Sequence, residues 1–164
     1  MDFGTIDGIR RSGFDGFVTV MDLQGGSCCQ VPNEPGVYLI LRPDMKAPDF
    51  RRPGTGGLFK GKDPNVEIDK LRKKWIEQAL VLYIGKAGLE ATLRSRLKQY
   101  MDFGQKIPIG HWGGRYIWQL QNSRDLLVCW KVTPTGALPR DEEQKLIVEF
   151  ERLHGIPPFA NLRH

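Results

Sequence analysis

The chain has 164 residues, 40% of them hydrophobic and 26% charged, with a formal net charge of +5. That length accommodates one domain with a real core, and no apolar run approaches the roughly 18 residues of a membrane span. The three cysteines, Cys28, Cys29 and Cys129, fit neither a disulfide framework nor metal-ligand spacing, which with the unbasic start Met1-Asp2-Phe3-Gly4 points to a reducing cytoplasm.

Residues 1–33 form an N-terminal extension with one short strand-like run, residues 14–21, closed by Gly25-Gly26-Ser27. A Pro32-Asn33-Glu34-Pro35 turn then introduces a first apolar strand, residues 37–41, in which Tyr38 needs a polar partner for its hydroxyl. Residues 66–79 show helical periodicity through Ile68, Leu71, Trp75, Ile76 and Ala79. A second strand over 79–84 breaks at Gly85-Lys86-Ala87-Gly88 and feeds a basic helix, residues 90–103, with Leu93, Leu97, Tyr100 and Met101 on its apolar stripe. A strand that ends in a glycine turn before a helix brings Tyr83, Lys86 and Arg96 toward one mouth, and Arg96 lies roughly 60° from Leu93 at the stripe's border. The glycine-rich stretch 110–115 leads to a strand at 116–120, and a further strand follows at 126–132. The last helix begins near Pro139, carries Asp141, Glu142 and Glu143 at its positive end, and buries Leu146, Ile147, Phe150 and Leu153. Gly155, Pro157 and Pro158 end it. Trp118 and Trp130 are assigned to the core, and His154 and His164 to the helix end and tail.

Between Pro43 and Trp75 stand nine basic and five acidic residues, so this segment holds most of the chain's positive excess. A polyanionic partner follows from that clustering. Gly56 to Lys62 fits the first seven positions of a P-loop, but Asp63 occupies the Ser/Thr position and no strand precedes it, which excludes a nucleotide-binding loop. His111, Trp112 and Arg115 form either a substrate rim that stacks on bases or a packed-down turn.

Gly36-Val37-Tyr38 in one strand and Tyr83-Ile84-Gly85 in the next, then Leu93-Arg94-Ser95-Arg96-Leu97, Glu149, and Asn161 twelve residues on, occur in the order that names the GIY-YIG nucleases. The chain resembles small stand-alone bacterial members of that family, likened to the nuclease half of the excision-repair incision enzyme. The resemblance spans residues 36–161 and implies an α/β domain of the α+β type, a central three-stranded antiparallel sheet flanked by helices. The 45 residues separating Tyr38 from Tyr83, where the family has a short hairpin, make residues 43–78 a basic insertion. The implied activity is metal-dependent hydrolysis of DNA phosphodiesters. Glu149 would hold one Mg²⁺ or Mn²⁺. Tyr38 would act as general base or orient the water, with Tyr83 sharing it, and Lys86 would supply the cationic field a phenolate needs. Arg96 would grip the scissile phosphate. Gly36, Gly85, Tyr100 and Asn161 would support the site. Arg51, Arg52, Lys60 and Lys62 of the insertion would clamp the nucleic-acid backbone, joined by His111 and Arg115. No membrane is expected as partner, and without an appended recognition domain the choice of substrate would rest on DNA structure, be weak, or come from a protein partner. The alternative is a non-catalytic nucleic-acid-binding or protein-interaction module on the same fold.

Overall fold

The runs of β-branched and aromatic residues assemble, in a computed structural model describing residues 1–88 and 90–162, into one antiparallel sheet with helices on both faces. In chain order the elements are α1 (Ile6–Arg11), β1 (Asp15–Thr19), α2 (Val20–Gly25), β2 (Gly36–Leu41), α3 (Ile68–Lys74), β3 (Val81–Ala87), α4 (Leu93–Phe103), two 3₁₀ turns (Arg115–Gln119 and Ser123–Asp125), β4 (Leu127–Val132) and α5 (Pro139–His154). The strand order is β1-β4-β2-β3. The expected three strands are therefore four, because the N-terminal run joins the sheet beside β4. Among the described residues no helix is long and apolar enough to cross a membrane.

Every residue of β2 is buried, since both faces of this central strand are covered. Val37, Leu39 and Leu41 pack with Ile9, Phe14, Ile147 and Phe150 on the α1/α5 side. Tyr38 and Ile40 pack with Leu23, Leu97, Tyr100 and Trp118 on the α2/α4 side. The β2–β3 register shifts between Ile40 and Leu41, pairing Ile40 with Tyr83 but Leu41 with Val81. Leu82 is thus an extra residue, a bulge that re-aims its neighbours. As a result Leu82 and Tyr83 share the α4 side, while Val81 and Ile84 face α5.

Four local expectations are corrected. The strand expected to break at Gly85 runs on through Lys86 to Ala87, paired there with Tyr38, Val37 and Gly36 of β2. Residues 116–120 form a 3₁₀ turn rather than a strand. Gly114 enters it with φ of 73°, and both edges of β4 are already taken by β1 and β2, so a strand there has no edge of β4 to join. The helix expected over 66–79 runs only from Ile68 to Lys74, because Trp75 turns extended and packs edge-on against the stacked rings of Phe50 and Phe159. In α5, Leu153 is 62% exposed, and the inward stripe runs instead through Glu143, Ile147, Phe150 and His154, whose ring lies 4.3 Å from that of Phe150. Trp118 and Trp130 are in the core as expected, and His164 lies outside the described residues.

The basic insertion folds back onto the domain. Backbone bonds tie Arg51 N to Gln119 O (2.7 Å), Thr55 N to Trp118 O (2.9 Å) and Gly57 N to Phe103 O (2.7 Å). The buried Gln119 side chain staples both arms, accepting from Val66 N (2.8 Å) and donating to Arg51 O (3.1 Å) and Val66 O (2.9 Å).

Candidate active site

Antiparallel pairing puts Tyr38 directly opposite Gly85. The Tyr38 ring lies across that glycine, and a Cβ there would come within 2.6 Å of its hydroxyl. The third residue of Tyr83-Ile84-Gly85 thus makes room for the tyrosine of Gly36-Val37-Tyr38. Gly36 starts β2, paired with Ala87 and Val132, and a Cβ on it would press on Leu93 at 2.7 Å. Tyr38 and Tyr83 sit edge to face with ring centroids 6.0 Å apart, and Tyr100 completes a triangle at 6.2 Å and 5.6 Å. The Gly113-Gly114 loop presses on this triangle. Gly114, held at positive φ, accepts a 2.7 Å hydrogen bond from the Tyr100 hydroxyl, and a Cβ on it would be 3.0 Å from the Tyr83 ring.

Arg96 is presented by α4, whose start is set three residues earlier by a reciprocal cap. Thr92 Oγ1 accepts from Ser95 N (3.2 Å) and Ser95 Oγ accepts from Thr92 N (3.0 Å), an arrangement worth about 1 kcal/mol. The Arg96 guanidinium donates to Gln99 Oε1 (3.2 Å) and Gly110 O (3.3 Å) and has no carboxylate among those partners.

Two clefts meet here. The smaller, about 340 Å³, is lined by Tyr38, Tyr83, Lys86, Glu90, Arg96 and Glu143, among others. The larger, about 650 Å³, shares Tyr83, Lys86 and Glu143 and adds Phe59, Trp112, Arg115, Arg140, Gln144 and Ile147. Lys86 and Glu143 are ion-paired across the shared wall. The structure thereby unites Tyr38, Tyr83, Lys86 and Arg96 with two glutamates, the exposed Glu90 and the ion-paired Glu143, and Glu149 is not among them.

Glu149, the expected metal ligand, lies roughly 120° around α5 from Glu143. It accepts from the Met1 terminal amine at 2.8 Å and faces a separate surface with Asp141, Lys145 and Arg152. That amine, hydrogen-bonded to the carboxylate, holds Glu149 below its ordinary range. The family resemblance of Leu146-Ile147-Val148-Glu149, with Asn161 twelve residues on, pointed to Glu149. The signal for Glu143 was its place one turn before Ile147, on the helix face that packs against β3.

The phenols are not poised alike. Burial raises Tyr38 well above its ordinary value, the Tyr83 phenol adds to the rise, and Arg96 opposes it. Burial followed by Glu143 pushes Tyr83 up to about 12, while Arg96 and the hydrogen bond from Tyr38 pull it down. Tyr38 thus finds its polar partner in Tyr83, and of the two Tyr83 is the easier to ionise. Tyr38 is 1% exposed and Tyr83 8%, so Tyr83 is also nearer solvent. The cation opposing these shifts is Arg96; Lys86, expected to supply that field, is engaged by Glu143.

Other expectations divide. Asn161 accepts from Ile84 N (2.9 Å) and donates to Ile84 O (2.8 Å), anchoring the strand between Tyr83 and Gly85. His111 is not at a rim. It is 0% exposed, stacked 4.0 Å from the Tyr100 ring, with no hydrogen-bond partner on either ring nitrogen. Burial, then Arg96, drives its basicity well below the ordinary value. Arg115 does line the larger cleft, its guanidinium 4.2 Å over the Trp112 ring. Arg51 donates to Pro53 O (3.2 Å) and Arg52 pairs with Glu67, both outside the two clefts. Lys60 and Lys62 project from an exposed turn whose first residue, Phe59, lines the larger cleft. Lys74, not singled out by the sequence, is depressed by burial, then by Lys70 and Arg115, which shows positive charge crowding beside that cleft.

Comparison with protein-family models, curated proteins and solved structures finds no match to this chain.

Proposed function

We propose that the chain is a GIY-YIG-type endonuclease hydrolysing DNA phosphodiesters, with Glu143 in place of Glu149 as the carboxylate for Mg²⁺ or Mn²⁺. One observation carries it: Tyr38, Tyr83, Lys86, Arg96 and Glu143, from the four elements β2, β3, α4 and α5, line one cleft. The donor set suits a hard cation. Among the described residues no three His, Cys, Asp or Glu side chains cluster, and Mg²⁺ is commonly held by one or two carboxylates with several waters. When bound, the ion would supply charge stabilisation to the phosphate and leaving oxygen.

The chain's own groups do the rest. Arg96 offers a fork of donors to the scissile phosphate. Tyr83 orients the attacking water, accepting its proton in the fraction that is ionised, and Tyr38 stabilises that phenolate by donating to it. The water oxygen forms the new bond to phosphorus, and the leaving 3′ oxygen departs as its bond breaks and is protonated from solvent. Lys86 contributes positive charge beside the phosphate once Glu143 turns to a cation. The coarse positive face formed by Lys70, Lys74 and Arg115 would position the backbone without reading sequence.

The Lys86–Glu143 ion pair also supports a second function, a nucleic-acid-binding module in which Lys86 permanently neutralises Glu143. Plasmid cleavage in Mg²⁺ and Mn²⁺ separates them. Wild type should cleave, Glu143→Gln should lose on the order of a hundredfold or more, and Glu149→Gln should keep most activity. DNA binding without cleavage in either metal supports the module. Inactive Glu149→Gln beside active Glu143→Gln sinks the assignment of Glu143.

A further inference from the structure

We propose that the larger cleft receives one unpaired nucleotide adjacent to the scissile phosphate, so that the preferred substrate is DNA with an unstacked base rather than continuous duplex. This rests on the phosphodiesterase function above. The two clefts share Tyr83, Lys86 and Glu143, so whatever occupies the larger one is the immediate neighbour of a phosphate held by Arg96 in the smaller. One wall is a single face of α5, with Arg140, Glu143, Gln144 and Ile147 at helical spacing. The other comprises Phe59 and Trp112, whose ring centroids are 5.6 Å apart, and Arg115. A cleft with aromatic rings and Ile147 among charged and amide side chains matches a nucleobase, which is apolar on its faces and carries donors and acceptors at its edges. A duplex contributes only phosphate and sugar to such a site and leaves those walls in water. The cleft volume, about 650 Å³, lies within the range of small-molecule sites.

The insertion contributes Phe59 to this wall and no described residue to the lining of the smaller cleft. Phe59 N donates to Lys62 O (3.1 Å) and Lys62 N to Phe59 O (2.9 Å), with Lys60 and Gly61 both at positive φ, 50° and 74°. This tight turn fixes the Phe59 backbone, sets the Lys60 ammonium 5.4 Å over the Phe59 ring and leaves Lys62 exposed beside the cleft. Drawing a base out of a duplex costs unstacking and unpairing free energy, least where it is already unpaired, and that difference sets the preference.

Fluorescence anisotropy in EDTA would compare a duplex with the same duplex carrying one bulged 2-aminopurine. The bulged DNA should bind wild type about tenfold or more tighter, with its emission quenched on stacking. Phe59→Ala, at a partly exposed position, should remove that preference while binding of the paired duplex and the circular dichroism spectrum stay unchanged; Gln144→Ala, on the opposite wall, should reduce it. Equal affinity for both DNAs, or a preference that survives in both folded variants, overturns the proposal. If Mg²⁺-dependent cleavage of paired duplex accompanies that result, the nuclease function stands and only the nucleotide cleft falls. If no DNA binds and none is cleaved, both fall.

Discussion

Replacing His111 with phenylalanine should make the protein more acid-resistant. The imidazole is fully buried against Tyr100 at 4.0 Å, and burial with Arg96 nearby keeps it neutral well below its ordinary value. In the unfolded chain the same histidine protonates near pH 6.5. Below that pH the unfolded state binds the extra proton, so stability is complete above pH 6.5 and falls as pH drops, by about 1.4 kcal/mol per unit. Between pH 6.5 and pH 5 the loss is about 2 kcal/mol, a large share of a typical 5–15 kcal/mol total. Phenylalanine keeps the stack and cannot titrate. Urea unfolding of both proteins at pH 7.5 and pH 5 isolates the effect, because carboxylates such as Glu149 titrate in both and cancel in the difference. Wild type should lose about 2 kcal/mol more than His111→Phe. Equal losses, or an imidazole NMR signal from His111 titrating near pH 6.5, would refute the buried neutral stack.

Asn161→Ala strips both hydrogen bonds from the buried Ile84 backbone and should cost about 2–4 kcal/mol in chemical unfolding; a loss under about 1 kcal/mol contradicts the anchoring role. Gln119→Leu removes three bonds to the insertion's arms. Limited proteolysis should then cut within residues 51–66 well before the sheet unfolds, and unchanged protection there would show that the backbone bonds alone hold the insertion.

Although the order of the strands in the sheet was not legible, since pairing joins residues far apart in sequence, the places of β2, β3, β4, α4 and α5 along the chain were, because periodicity and turn residues act locally: Pro35-Gly36 opens one strand, and Gly155 ends α5 at a left-handed dihedral. So was the meeting of Tyr38, Tyr83 and Arg96, since it follows from strand pairing and a helix that starts nearby. What failed depends on partners distant in sequence. The strand expected at 116–120 met no free edge of β4. The N-terminal run gained one. Trp75 left its helix for an aromatic cluster drawn from residues 50 and 159. The choice between Glu143 and Glu149 turns on the azimuth at which α5 docks, and two residues of the sheet-facing stripe, Ile147 and Phe150, fit either; Leu153, counted with them, faces solvent.

Asn161 has a consequence beyond fixing the site. β3 is an outer strand, and such strands offer unpaired N–H and C=O groups on which another chain can build. The Asn161 amide binds Ile84 N and O as a neighbouring peptide would, and Ala160 N donates to Leu82 O at 2.8 Å. The chain's final described residues therefore stand in for a fifth strand over the very segment that carries Tyr83. Losing that cover would leave an apolar outer strand open to edge-to-edge pairing, so the segment that positions a candidate catalytic tyrosine also shields its strand.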